Sequence, residues 1–386
     1  MVNLAPIAIR RVGPRCDPPQ NQPTMSDRRQ HRYCVIMCGG IGSRFWPYSR
    51  TNVPKQFIDF FGTGSSLLQM TYERMLPLVD KERFIVITNA KYVERIKEQL
   101  PELDDSQILA EPDRRNTAPA IAWAAYHIRA LDPEASMIVA PSDHLITREH
   151  IFEKCVERGF DFVETHDALL TLGITPTRPE TGYGYIQIGQ ETEPGILKVK
   201  TFTEKPDREL AQVFLDSGEF FWNAGIFLWK AETIIGALRR YVPDIAAEFD
   251  RGGDVFGTTG ETAYINSTFA SCPSISIDFA VMEKASNVYV ECVNFGWNDL
   301  GSWSSLYETS PKNIDGNVTQ NSNVMAYGSS GNIFMAPSDK LVVVSGMHDC
   351  IVADAGDVLL ICPKSEEQKI KQIVNDVELR FDGKYL

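Results

Sequence analysis

The chain has 386 residues, 43% of them hydrophobic, and a formal net charge of −13, which is enough chain to bury one large α/β domain and a smaller second one. The negative balance argues against a general nucleic-acid surface and against attachment to anionic lipid, and no apolar run reaches the length of a membrane span. The eight cysteines (16, 34, 38, 155, 272, 292, 350 and 362) form no Cys-x-x-Cys pair and no metal spacing with histidine, which fits reduced thiols in a cytoplasmic protein.

Residues 1–32 carry six arginines, two aspartates, five prolines and no lysine. That composition predicts a disordered extension. Its arginine-rich, acid-poor character suggests an organelle transit peptide, but the prolines break any amphipathic helix and no apolar secretory core is present. Met25-Ser26-Asp27 is a candidate start immediately before the fold. Next, Tyr33-Cys-Val-Ile-Met37 reads as a buried parallel strand. It runs into Gly39, Gly40 and Gly42, where the backbone can turn sharply and aim free amide N–H groups at an anion. Arg44 and Lys55 add a bidentate and a point-charge cation, a combination suited to a polyphosphate. A dinucleotide fingerprint is excluded by Phe45 and by the two prolines at 47 and 54, and no Gly-Lys-Ser/Thr follows the glycines.

Strands and helices then alternate. Helices are expected over 65–76, 91–100 and 117–130, and strands over 83–88, 107–110 and 136–140. Such alternation means a parallel sheet with ligands at the carboxyl ends of its strands. Gly39, Glu111-Pro112 and Pro141-Ser-Asp-His144 each follow a strand, so three polar loops converge on one sheet edge. Ser276 is a candidate N-cap for a helix over 276–284. Beyond 308, short apolar alternations at 324–327, 332–336, 341–345, 350–353 and 358–362 are separated by Gly, Asn, Asp and Ser turns. They predict a small β-structure, closed by an amphipathic helix over 365–377.

The pattern Gly-Gly-x-Gly-x-Arg-x-x-Pro over 39–47, followed by Pro54-Lys-Gln-Phe57, closely resembles the signature of the sugar-phosphate nucleotidyltransferases. The Trp46-Pro47 and Pro54-Lys-Gln-Phe57 details resemble its guanylyltransferase branch. Val139-Ala-Pro-Ser-Asp-His144 is similar to the family's metal-binding aspartate motif, and Trp297-Asn-Asp-Leu-Gly-Ser-Trp303 to the element that supplies a second carboxylate. Thr181-Gly-Tyr-Gly-Tyr-Ile186, Phe202-Thr-Glu-Lys-Pro206 and Phe221-Trp-Asn-Ala-Gly-Ile-Phe-Leu-Trp229 resemble its sugar-phosphate segments. Ser276-Ile-Asp-Phe-Ala-Val-Met-Glu-Lys284 matches a further stretch, with Phe279 in place of a tyrosine. The resemblance covers about residues 33–378 in the family's order.

It implies an α/β fold: a Rossmann-like nucleotidyltransferase domain with a mixed, mainly parallel sheet over 33–308, then a short β-solenoid-like structure and closing helix over 309–386. It also implies transfer of GMP from GTP to mannose 1-phosphate, giving GDP-mannose and pyrophosphate, with Mg²⁺ on Asp143 and Asp299. Arg44 would clamp the triphosphate, Lys55 would neutralise phosphate and Lys205 would hold the attacking phosphate. Gly39, Gly40, Gly42, Arg44, Glu111, Asn116 and Thr117 would line the nucleotide, and Gly182, Glu204, Lys205, Asn223 and Asp278 the sugar phosphate. Glu111 stands where relatives using thymidine or uridine nucleotides tend to have glutamine. An ionised carboxylate accepts from the adjacent N1–H and N2–H₂ donors of guanine; alternatively Glu111 only braces its loop. Asp278 either touches the sugar or complements a helix dipole, and His144 is read as structural. Two other readings stand beside this one: a nucleotidyltransferase for another hexose 1-phosphate or nucleotide, and a non-catalytic relative that binds nucleotide sugars. The chain stops short of the cupin-type domain of bifunctional relatives, so no isomerase activity is expected. The β-tail is a candidate homodimer interface.

Overall fold

The computed structural model describes residues 29–40 and 42–386; the disordered extension expected over 1–32 lies outside the described residues as far as position 28. The first strand, β1 (Arg32–Cys38), begins one residue before the expected Tyr33. The reason is electrostatic: Arg32 is buried, and its guanidinium donates to Glu164 at 2.7 Å and Asp161 at 3.0 Å. The first strand therefore takes in the last arginine of the arginine-rich segment.

Ten further strands organise the first 300 residues: β2 (Phe84–Asn89), β3 (Ile108–Glu111), β4 (Ser136–Pro141), β5 (Leu145–Ile146), β6 (Leu169–Ile174), β7 (Tyr185–Glu193), β8 (Ile196–Thr203), β9 (Phe220–Lys230), β10 (Val288–Cys292) and β11 (Trp297–Asn298). Eight of them join β1 in one mixed sheet in the order β3-β2-β1-β4-β9-β6-β10-β8-β7. The half containing β1 to β4 is parallel and buried on both faces, which is why its strands read as unbroken apolar runs. From β9 onward the pairing is mostly antiparallel, so the start of β9 lies at the carboxyl edge of β4. Apolar cores fill both sides of the sheet.

Local chemistry sets the helix ends. Ser66 and Gln69 form a reciprocal capping box before the helix Leu67–Met75. Asn116 caps the helix Thr117–Leu131, whose alanines let the helices Ala231–Tyr241 and Pro243–Asp250 pack closely. The helix expected over 276–284 is instead a single π-helical turn, Asp278–Met282. Its entry is pinned from outside, because Ile277 N donates to Thr117 Oγ1 at 2.8 Å and Ala118 N to the Ile275 carbonyl. The apolar spacing alone could not reveal that constraint.

Beyond residue 317 the chain coils through β12 (Val318–Gln320), β13 (Asn323–Tyr327), β14 (Ile333–Met335), β15 (Leu341–Ser345) and β16 (Cys350–Asp354), with β17 (Leu359–Pro363) folding back antiparallel on β16. β12, β14 and β16 stack in parallel, as do β13 and β15, making a short solenoid. Buried Asn332 donates to Asn317 Oδ1 and accepts from Cys350 N, fixing one corner of successive coils. The closing helix runs Ile370–Phe381 after a 3₁₀ segment, Lys364–Lys369. One apolar cluster joins this tail to the front of the molecule, combining Phe45, Trp46 and Phe60 with Trp303, Ile333, Ile351 and Ile370. No described helix is long and apolar enough to cross a membrane.

Candidate active site

The carboxyl ends of β1, β3 and β4 open into a cavity of about 400 Å³. Gly39 and Gly40 line it from β1, Glu111 from β3, and Ser142 and Asp143 from β4, with Asn116, Thr117 and Asp278 opposite. A Cβ at Gly40 would meet no atom of the described residues beyond its chain neighbours within 4 Å, so the space above it is open to a ligand. Gly42 is constrained differently. Its φ is +68°, and a Cβ there would come within 2.4 Å of Lys55 Cβ, so only glycine lets Lys55 pass.

A second cavity, about 290 Å³, adjoins the first through Asp143 and is lined by Gly42, Arg44, Lys55, His144, Asp299 and Lys371. Asp143 and Asp299 are brought together by a two-residue antiparallel ladder. β5 pairs with β11 in the register Leu145 to Asn298 and Ile146 to Trp297, which carries Asp299 opposite His144, the neighbour of Asp143, and both acids line this cavity. Lys55, which is buried, joins them: its Nζ donates to Asp143 Oδ2 at 2.9 Å and to the Asp299 carbonyl at 2.6 Å. Burial alone would raise the Asp143 pKa, but the Lys55 ammonium and its hydrogen bond outweigh it and hold the carboxyl below its usual range. Burial lowers the His144 pKa, and its Nδ1 accepts from Trp297 Nε1 at 3.1 Å, as suits a structural histidine.

Asp299 is held from two sides. Its Oδ1 accepts from Gly301 N at 3.0 Å and from the Tyr183 hydroxyl at 2.6 Å. Tyr183 thus ties the 181–186 segment to the acid of the Trp297–Trp303 signature, a role the sequence reading did not assign. The donor pair suits a hard divalent cation. Two carboxylates face one cleft, and no cluster of three or more His, Cys, Asp or Glu suited to a metal occurs among the described residues, so phosphate oxygens and water would complete the shell, as magnesium prefers.

The nucleotide side is only partly free to bind. Asn116 Oδ1 accepts from Thr117 N at 2.8 Å, and Thr117 Oγ1 from Ile277 N, so both offer a ligand chiefly their donors. Burial raises the Glu111 pKa to about 8, despite the opposing charge of Arg114. Arg114 and Arg115 line the same cavity and are further cations beside the expected nucleotide residues. Arg44 Nη1 donates to the Gly301 carbonyl, while its buried Nε has no partner among the described residues.

On the sugar-phosphate side the structure brings Glu204, Lys205, Asn223 and Asp278 together. Asn223 Nδ2 donates to Asp278 Oδ1 at 2.9 Å, and its Oδ1 accepts from Thr171 Oγ1 and Gly225 N. The Asn223 amide therefore chiefly positions Asp278. Burial, with Glu204 nearby, raises the Asp278 pKa to about 7. Lys205 is exposed and donates to Glu204. Gly182 and Gly184 are placed differently. The Gly182 N–H donates to Glu180 Oε1 at 3.1 Å, and it is Gly184 whose added Cβ would lie 2.5 Å from Glu204 Oε2.

Comparison with known proteins agrees with this architecture. The nucleotidyl transferase family matches residues 33–316, and the MannoseP isomerase/GMP-like β-helix domain matches residues 322–377. The chain belongs to the nucleotidyl transferase family and is an enzyme acting on a nucleoside triphosphate and a sugar phosphate. Among its relatives, the mannose-1-phosphate guanylyltransferase of Salmonella montevideo is 40% identical, over 89% of this chain and 74% of the relative. Mannose-1-phosphate guanylyltransferase 2 of Escherichia coli O157:H7 is 36% identical, over 91% of this chain and 74% of the relative. A crystal structure from Thermus thermophilus, described as a mannose-1-phosphate geranyltransferase, superposes with a TM-score of 0.81 at 30% identity, covering 90% of this chain and 99% of the other. Within the family, the chain falls in the mannose-1-phosphate guanylyltransferase branch.

Proposed function

We propose that the chain transfers GMP from GTP to mannose 1-phosphate, releasing pyrophosphate, with magnesium as the ion that Asp143 and Asp299 would hold. The carrying observation is the β5–β11 ladder, which sets two acids distant in sequence on one cleft with Lys55 between them. Like charges repel as two phosphates approach, so the catalyst must supply alignment and positive charge. The phosphate oxygen of the sugar is already ionised near neutral pH, and no general base is required. When bound, the ion would draw charge from the phosphates and help align them.

On this reading the amides of Gly39, Gly40 and Gly42 and the Arg44 guanidinium bind the triphosphate, and Lys55 holds both acids in place. Lys205 takes the sugar phosphate from the exposed side, where Glu204 and Asp278 meet ring hydroxyls. Glu111 accepts from guanine. Residues 33–308 supply the chemistry, and 309–386 support the glycine loop. The decisive experiment is pyrophosphate release from the purified protein with Mg²⁺, GTP and each hexose 1-phosphate in turn. Fastest release is expected with mannose 1-phosphate; faster release with another sugar phosphate, or with UTP in place of GTP, overturns the assignment.

A further inference from the structure

The closing helix carries a side chain into the cleft that no sequence motif marks. Lys371, in the first turn of Ile370–Phe381, lines the same cavity as Gly42, Arg44, Lys55 and Asp299. It is exposed there and forms no ion pair or hydrogen bond among the described residues, whereas Lys369 pairs with Glu366 and Lys364 with Asp349. Lys55 is committed to Asp143 and the Asp299 carbonyl. Among the described residues, the cations of this cavity without an acidic partner are therefore Lys371 and Arg44, whose buried Nε also lacks a hydrogen-bond partner.

The helix is held rigidly enough to aim that charge. Ile370 is fully buried, and Ile373, Val374 and Val377 pack on the same apolar cluster as Phe45 and Trp46, leaving Lys371 beside the packed stripe. Just before the helix, Glu367 accepts from Ser304 N at 2.9 Å; just after it, the Tyr385 carbonyl accepts from Trp46 Nε1 at 2.9 Å. Both ends are thus tied to segments flanking the cavity, Trp46 in the glycine-loop signature and Ser304 behind Asp299.

We propose that Lys371 is a substrate-binding residue for the β- and γ-phosphates of the nucleotide, and for the pyrophosphate that leaves. The inference rests on the activity proposed above. In that reaction the sugar-phosphate oxygen bonds to the α-phosphorus, the bond from that phosphorus to the bridging β-oxygen breaks, and its electron pair departs with pyrophosphate. Lys371 forms no covalent bond; its ammonium donates to the oxygens on which charge accumulates. A domain outside the sheet thereby contributes to the catalytic pocket, and its docking decides whether the triphosphate end is complete.

The test compares two ligands by calorimetry on the full chain: GTP, which carries the leaving pyrophosphate, and GDP-mannose, which does not. Lys371→Gln should weaken GTP binding about tenfold or more, the loss of one charge-assisted hydrogen bond. It should leave GDP-mannose affinity within about twofold and raise the KM for pyrophosphate in the reverse reaction, while Lys371→Arg should restore much of the GTP affinity. Equal GTP binding by the parent and Lys371→Gln, or equal losses for the two ligands, overturns the role of Lys371 and leaves the activity standing. A parent chain that binds neither ligand overturns the activity and this role together.

Discussion

Glu111 shows how burial can set the chemistry of recognition. Burial raises its pKa to about 8, so the carboxyl keeps its proton much further up the pH scale than an ordinary carboxylate. A guanine edge presenting two donors favours the ionised form, so GTP binding should expel a proton. The sign follows directly: affinity for GTP rises as pH rises towards 8 and levels off above it. Between pH 7 and 8.5 the gain should be roughly an order of magnitude. Glu111→Gln should flatten that dependence and narrow the preference for GTP over UTP. Titrations at several pH values measure both effects, and an unchanged preference would mean that Glu111 only braces its loop. Tyr183 is the residue-scale lesson in the other direction. Its hydroxyl reaches Asp299 at 2.6 Å across 116 positions of sequence, and nothing in a Thr-Gly-Tyr-Gly-Tyr-Ile string tells which tyrosine does so.

At the scale of elements, the glycine loop and the β5–β11 ladder make the cleft. A methyl group at Gly42 would have to displace Lys55 at 2.4 Å while the backbone kept a φ of +68°. The left-handed conformation alone costs an L-residue about 1–2 kcal/mol. Gly42→Ala should therefore lower unfolding stability in denaturant by at least that much and reduce turnover further by moving Lys55 off Asp143; a variant with parental values for both contradicts the crossing. The sequence made the long elements legible. β1, β2, β3 and β4 are apolar runs bounded by turns, and their loops converge as the alternation predicts. The β5–β11 ladder was not legible, because two residues per strand are too few to show a period. Residues 276–284 misled for another reason: their apolar spacing suits a helix, while the segment forms a π turn whose entry is bonded to Thr117, 160 positions away.

At the scale of the whole molecule, the solenoid works as a brace for the glycine loop. Trp303 is fully buried against Phe45 in the cluster that joins the two parts. Trp303→Ala should cost about 3–5 kcal/mol of stability, read as a lower melting temperature. Because the cavity lies beside Phe45, GTP affinity should fall as well, by more than GDP-mannose affinity if the closing helix drifts. A variant that melts early yet binds GTP normally would show that the brace does not reach the site. The sheet couples its two halves in another way. A single strand, β9, carries Asn223 beneath Asp278 and, two residues on, Gly225 against the nucleotide cavity. Anyone redesigning the chain to accept a foreign sugar should therefore graft the exposed loops and leave Phe220–Lys230 untouched. A substitution in that strand would retune the preference for the base along with the preference for the hexose.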